Sequence, residues 1–245
     1  MLPGEQAFMH MMHKKIFFLL MLLLFWGTTP AWSLTHDNKF WIPVTLNGNY
    51  GTFLYFVEPQ LRLIEPKTSA SAQTSKIFNQ FLVNIAGGHE LFPEWQVWFG
   101  QTITTTAQDA SEQSREEYRS WEQLTWNHTT RQNISINSRF RAEQRKSFDF
   151  PEWAFRLRER LIFNIPLKNN LSYELSDEVL YNLNSTPWVD TTAWDQNRFY
   201  IALVQRFSLR YAFAIGYMNQ YLFRDAPLAQ ENHVLWLNIR YNLPT

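Results

Sequence analysis

Along most of this chain apolar and polar side chains alternate one for one, the period that puts neighbours on opposite faces of a β-strand. From residue 133 the set Ile134, Ile136, Phe140 and Ala142 points one way, while Asn133, Ser135, Asn137, Arg139, Arg141, Glu143 and Arg145 point the other. From residue 153 the apolar face is Trp153, Phe155, Leu157, Leu161, Phe163 and Ile165, opposed by Arg156, Arg158, Arg160 and Asn164. The alternation continues through Phe199, Ile201, Leu203 and Phe207, then Leu209, Tyr211, Phe213, Ile215, Tyr217 and Tyr221, then Leu235, Leu237, Ile239, Tyr241 and Leu243. These runs last 10 to 16 residues, against about 5 or 6 for a typical soluble strand. Long amphipathic strands with Trp and Tyr near their ends suit a transmembrane barrel, whose strands cross the hydrocarbon in about 9 to 11 residues.

Eleven such runs begin near Phe40, Gly51, Ser75, Leu91, Tyr118, Gln132, Trp153, Leu171, Arg198, Leu209 and His233. The links between them alternate in length. Those at 47–49, 86–90, near Thr130, at 168–170 and at Ser208 are short, with Gly87-Gly88 reading as a turn. Those at 65–74, 107–117, 184–197 and 224–231 are long, and 147–151 is intermediate. Such alternation predicts short periplasmic turns, longer outer loops and a periplasmic C-terminus. The run 40–46 is the weakest, because it contains Pro43 and would have to start outside the cell. Single-chain bacterial barrels carry even strand numbers, so the expectation is an all-β, antiparallel transmembrane β-barrel of about 10 to 12 strands.

The first 33 residues follow a different rule. Lys14 and Lys15 precede the apolar run 16–27, and Ala31-Trp32-Ser33 offers small residues where a signal peptidase cuts. The run is shorter than the roughly 20 residues of a spanning helix. A signal peptide at 1–33 and a barrel domain at 34–245 are therefore expected, with export to the bacterial outer membrane. The partners this implies are outer-membrane lipid and, during biogenesis, periplasmic chaperones and the barrel-assembly machinery.

Composition removes several classes of function. With 45% hydrophobic residues, 11 Trp and no Cys, the chain can form one sizeable domain but neither a disulfide scaffold nor a Cys-ligated metal site. A formal net charge of +0 argues against nucleic acid as a partner, since that affinity comes from excess Lys and Arg. No cofactor motif is present, and neither a G-x-S-x-G elbow nor H-E-x-x-H occurs. His128, His233, Ser120, Ser135 and Asn133 are the residues from which a lipid-acting site would have to be built, and no motif joins them, so the chain reads as a non-enzyme.

A set of ordered segments then points to a family. Tyr118-Arg119-Ser120-Trp121-Glu122-Gln123-Leu124, followed by Arg139 to Arg145, Arg156-Leu157-Arg158, Tyr181-Asn182-Leu183-Asn184, Asn197-Arg198-Phe199-Tyr200 and Gly216 to Gln220, resembles the bacterial family catalogued as domain of unknown function 2490. The resemblance covers most of the mature chain. It implies an exported outer-membrane β-barrel protein and no established activity. Unlike barrels that finish on Phe, this chain ends Tyr241-Asn242-Leu243-Pro244-Thr245.

In such a barrel the apolar faces meet lipid and the charged faces meet in a narrow lumen. The lumen network is expected to comprise Arg139, Arg141, Glu143, Arg145, Arg156, Arg158, Arg160, Glu174, Glu178, Arg198, Arg206 and Arg240. Glu122, Glu159 and Asp177 fall on the lipid side of the pattern, and are expected to mark strand ends or a bulge that shifts the facing. Trp95, Trp98, Trp126, Trp153, Tyr173, Tyr181, Tyr211 and Tyr241 read as interfacial belts. A closed, structural barrel is the leading functional expectation. The alternatives are a small anion-preferring pore, a lipid-acting enzyme, and a periplasmic barrel with its apolar faces inward that binds a small apolar ligand.

Overall fold

In a computed structural model the described residues are 35–64, 78–107, 114–189, 193–224 and 230–243. The expected signal peptide and Pro244-Thr245 lie outside them, as do most of the two earliest long links. Eleven strands follow one another: β1 (Thr35–Tyr50), β2 (Phe53–Ile64), β3 (Phe78–Phe92), β4 (Trp95–Thr106), β5 (Arg115–Thr129), β6 (Ser135–Ser147), β7 (Trp153–Pro166), β8 (Leu171–Asn182), β9 (Trp194–Arg206), β10 (Tyr211–Leu222) and β11 (Gln230–Asn242). Each starts within five residues of the position the alternation marks.

The sheet closes on itself, each strand pairing with its sequence neighbours and β1 with β11. Ten of the pairings are antiparallel, but β1 and β11 run parallel, with Trp41 opposite Trp236 and Thr45 opposite Arg240. This corrects the all-antiparallel expectation. Up-and-down connection of an odd number of strands leaves first and last pointing the same way, so the closing seam has to be parallel. The run with Pro43 is a full strand of 16 residues. Its pairing to β11 skips Ile42 and Pro43 and then resumes in register at Val44, because proline has no N–H to give the ladder.

Connections alternate as the sequence suggests. One end of the barrel carries short turns, such as Lys168 to Leu171, where Asn169 and Asn170 both sit at φ 58° and Leu171 N–H returns to Lys168 O. Two successive positive φ values define a type I′ hairpin turn, and Asn tolerates that region better than most side chains. The other end carries the long links.

Two turns lie elsewhere than expected. Residues 47–49 belong to β1, and Gly87-Gly88 belongs to β3, whose turn falls at Pro93-Glu94. Gly88 faces inward. A Cβ there would sit 2.5 Å from Cδ2 of the Trp98 indole, so the glycine makes room for a neighbour rather than for a turn.

The faces are the reverse of a soluble domain. Outward-pointing apolar residues are bare, with Phe99 61%, Ile103 57% and Ile85 55% exposed. Buried side chains include Arg141, Glu143, Arg156, Glu174 and Glu178. The facing with apolar residues inward and Arg outward is not the one adopted. Outward aromatic residues gather near both ends: Trp95, Trp126, Tyr173, Tyr211 and Tyr241 by the short turns, Trp153, Tyr181 and Trp194 by the long links. Tyr211 packs on Tyr241 at 4.6 Å, and Trp194 meets Tyr181 edge-on at 5.3 Å. Trp98 is the exception to the belts. It points inward and joins Phe56, which also stacks on Trp121 at 6.1 Å.

Candidate functional site: the barrel lumen

The register of β6, β7 and β8 builds the lumen charge. Alternate inward positions on β6 supply Arg139, Arg141, Glu143 and Arg145; β7 supplies Arg156, Arg158 and Arg160; β8 supplies Glu174 and Glu178. Pairing sets Glu143 opposite Arg156, but also Arg141 opposite Arg158 and Arg139 opposite Arg160. Like charges directly opposite are destabilising. They are offset by carboxylates reached on the diagonal.

Glu143 accepts from Arg156 at 2.6 and 2.9 Å and from Arg158 at 2.6 Å. Glu178 accepts from Arg158 at 2.7 Å, from Arg139 at 2.8 Å and from Arg198 at 3.2 Å. Arg156 also donates to Asp195 at 3.0 Å. The result is one chain of alternating charge, Asp195, Arg156, Glu143, Arg158, Glu178, Arg198, built from β6 to β9. Arg198 lies over Trp41 of β1 at 5.6 Å, which carries the chain across the lumen. Arg62 of β2 stacks on the same indole at 3.8 Å, and Arg141 on Trp121 at 3.6 Å, contacts that supply cation–π attraction.

Nearer the long links Glu117 holds Arg145 at 2.6 Å and Arg119 at 2.8 Å. Toward the short turns Arg240 of β11 spans to Glu174 of β8 through two bonds of 2.8 and 3.0 Å. This fork-on-carboxylate geometry is the strongest Arg pairing available. Of the expected network Arg160 lines the lumen without an ion pair, bonded to Ser176, and Arg206 stands apart from the lumen network altogether. It is exposed at the end of β9 and borders the mouth at the short-turn end.

Six charged members escape the sequence pattern: Glu58, Arg62, Glu117, Arg119, Asp195 and Arg224, the last held by Asp195 at 3.4 Å. Glu117 falls at the end of the expected link 107–117, but residues 115–117 are the first of β5. Asp195 is hidden by a bulge. Leu180 pairs with Gln196 but Tyr181 with Trp194, leaving Asp195 as the extra residue, and the bulge turns its carboxylate inward.

Glu122, Glu159 and Asp177 do face outward, and the expectation that they mark strand ends or a shifted register is corrected. They lie in the middle of β5, β7 and β8, in unbroken pairing. Each has a neutral neighbour: Gln144 on Glu122 at 2.9 Å, Ser138 on Glu159 at 2.8 Å, Asn197 on Asp177 at 2.8 Å.

The residues from which a lipid-acting site would be built are not brought together. His128 stacks on Trp126 and bonds Glu94 at 2.8 Å near the short turns. His233 meets the Tyr217 hydroxyl at 2.6 Å on the outer face. Ser120 donates to Gln144 outside, Ser135 lines the lumen, and Asn133 sits in a turn at φ 61°. Among the described residues no group of three or more His, Asp or Glu is arranged to hold a metal ion.

Comparison with known proteins gives the same lineage as the residues. The family described as Protein of unknown function (DUF2490) matches residues 38–232. An uncharacterized protein of Methylorubrum extorquens is 26% identical over 230 residues, which cover 93% of this chain and 97% of that protein. No solved structure matches.

Proposed function

The chain belongs to the DUF2490 family, whose description assigns no activity, and from the barrel itself we propose an exported outer-membrane β-barrel protein whose lumen is closed to through-flow by its own Arg/Glu network. The bare apolar exterior, the aromatic residues at both ends and the absence of a free sheet edge support the membrane half of this reading. In hydrocarbon an open edge would leave backbone groups without partners, and only a closed barrel avoids that. The chain of ion pairs from Asp195 to Arg198, continued onto Trp41, is the observation that supports closure. A buried network in which every member is paired is held as a unit, since removing one partner strands the others.

A small anion-preferring pore is the second reading, and the excess of Arg over carboxylate in the lumen favours it, because rings of Arg select anions. A single experiment separates the two. Refolded protein is run heated and unheated on a gel and, in parallel, added to planar bilayers. A band that shifts on heating, with no stable conductance steps, is the expected result. Stable anion-preferring steps from the unsubstituted protein overturn closure and leave the pore. No heat shift and no insertion overturn the membrane barrel.

A further inference from the structure

The lumen is not filled below the ion-pair chain. A cavity of about 520 Å³ extends from the guanidinium groups toward the short-turn end, where Asn47, Ser135 and Asn164 also border a second recess of about 300 Å³. That size falls within the range of small-molecule sites.

Its lining is unbalanced in charge: nine Arg and three Glu. Two of those Arg, Arg62 and Arg160, have no carboxylate within ion-pair distance among the described residues, and a third, Arg141, has one only at the limit of that distance. Arg62 donates to Gln60 and Gln80 at 2.7 to 3.1 Å, and Arg160 reaches only Ser176, at 3.2 and 3.4 Å. Arg141 is held by Gln123 at 2.6 and 2.9 Å, with Glu143 at 3.9 Å. The opposite wall is apolar. Trp41, Tyr200 and Met218 form part of a buried cluster with Trp236 packed against it, and Trp236 lies 5.4 Å from both Trp41 and Tyr200. Within that wall the Tyr200 hydroxyl and the Trp236 indole nitrogen are buried without a hydrogen-bond partner among the described residues, an arrangement native interiors rarely leave standing.

We propose that this cup is a binding site for a small organic anion, a carboxylate or phosphate carried on a flat ring or short acyl chain, entering from the short-turn end. Its oxyanion is held by the guanidinium of Arg160, which has no carboxylate partner, and by that of Arg141, whose Glu143 is 3.9 Å away, and its apolar body lies against Trp41, Met218 and Trp236. An inorganic ion would leave the aromatic wall uncovered, a neutral apolar molecule would leave the Arg surplus unanswered, and a cation would be repelled. The site rests on lumen geometry and not on the outer-membrane reading.

The test is calorimetric titration of refolded protein in a non-ionic detergent, with empty micelles as blank, using phenyl phosphate, inorganic phosphate and benzylamine. Phenyl phosphate is expected to bind one to one, at least about tenfold tighter than inorganic phosphate, with benzylamine giving no heat. Arg160→Gln is expected to weaken phenyl phosphate about tenfold through the lost charge-assisted hydrogen bond, and Trp236→Leu about tenfold through the lost aromatic wall. A heat-shifted band on the same samples shows that the variants fold. Absence of phenyl phosphate binding, equal binding of benzylamine or of inorganic phosphate, or unchanged affinity in both folded variants would overturn the site. Conductance plays no part in this readout, so its outcome is separate from that of closure.

Discussion

Two walls of one lumen fill it by opposite means. On β6, β7 and β8 the inward positions carry long charged side chains, Arg139 through Glu178, interlocked by bonds of 2.6 to 3.2 Å. Toward the short turns, beyond Asp195 and Arg198, the inward positions of β9 and β10 include Ala202, Val204, Ala214, Gly216 and Met218, most of them buried. The second wall is small so that the first can be long. Guanidinium groups project into space that bulky residues on β9 and β10 would occupy. The two walls therefore differ in how they fail. The charged wall is stable only as a complete set, because each ion relies on its partners to offset lost hydration, whereas the small wall depends on volume alone.

Removing a carboxylate that three cations share should break the charged wall hardest. Glu178→Ala strands Arg139 and Arg198 and leaves Arg158 with Glu143 alone. It is expected to destabilise the barrel by about 3–5 kcal/mol, read as the shift of a urea-unfolding midpoint in lipid vesicles. A loss below about 1 kcal/mol would mean that water reaches these Arg and that the wall is not a closed unit.

The small wall should break by addition instead. A Cβ on Gly216 would lie 2.6 Å from Ala202 Cβ and 2.7 Å from the Ile201 carbonyl oxygen, and backbone cannot swing aside as a side-chain tip can. Gly216→Ala is expected to lose about 1–3 kcal/mol through overpacking, although alanine is elsewhere the milder residue in a strand. An unchanged midpoint would show slack in this wall and erase its contrast with the other.

These differences also explain what could be seen beforehand. Period-two alternation exposed all eleven strands and the inward side of β6, β7 and β8, since strict pairing keeps each side chain on the face its number predicts. It failed where the backbone breaks parity or where residue type has two meanings. Gly87-Gly88 carries the same letters as a turn, yet its use depends on Trp98, which comes from another strand. Trp98 itself reads as a belt residue until Gly88 shows where its ring lies. The parallel seam follows from the odd count, but Pro43 argued against the strand that makes the count odd. The cavity had no sequence signal at all, because it is formed by what the facing strands leave vacant.

Asp195 gives a subtler test of the charged wall, since it joins only through its bulge. Asp195→Asn keeps the shape and one acceptor, and Arg156 retains Glu143 at 2.6 Å. A loss of about 1 kcal/mol is expected, as a charged hydrogen bond becomes a neutral one. A loss equal to that of Glu178→Ala would make Asp195 a principal anchor rather than an outlying link between Arg156 and Arg224.

The smallest effect concerns the outer surface, where a third chemistry interrupts both walls. Glu159 sits midway along β7, facing out, with the Ser138 hydroxyl as its hydrogen-bond donor at 2.8 Å. Where that face meets hydrocarbon, the carboxyl group is at the depth where polar residues are least tolerated, and the penalty fades toward the interfaces. Glu159→Leu should then stabilise the barrel in vesicles by up to about 1 kcal/mol, reduced by the loss of the Ser138 bond. Glu116→Leu, the same exchange at the long-link end of β5, should leave the midpoint unmoved. The difference between the two substitutions, rather than either alone, measures depth. Equal effects at both positions would place Glu159 outside hydrocarbon and remove lipid from this part of the wall, whereas a gain confined to Glu159 means that the outward acids are retained against the stability of the isolated barrel.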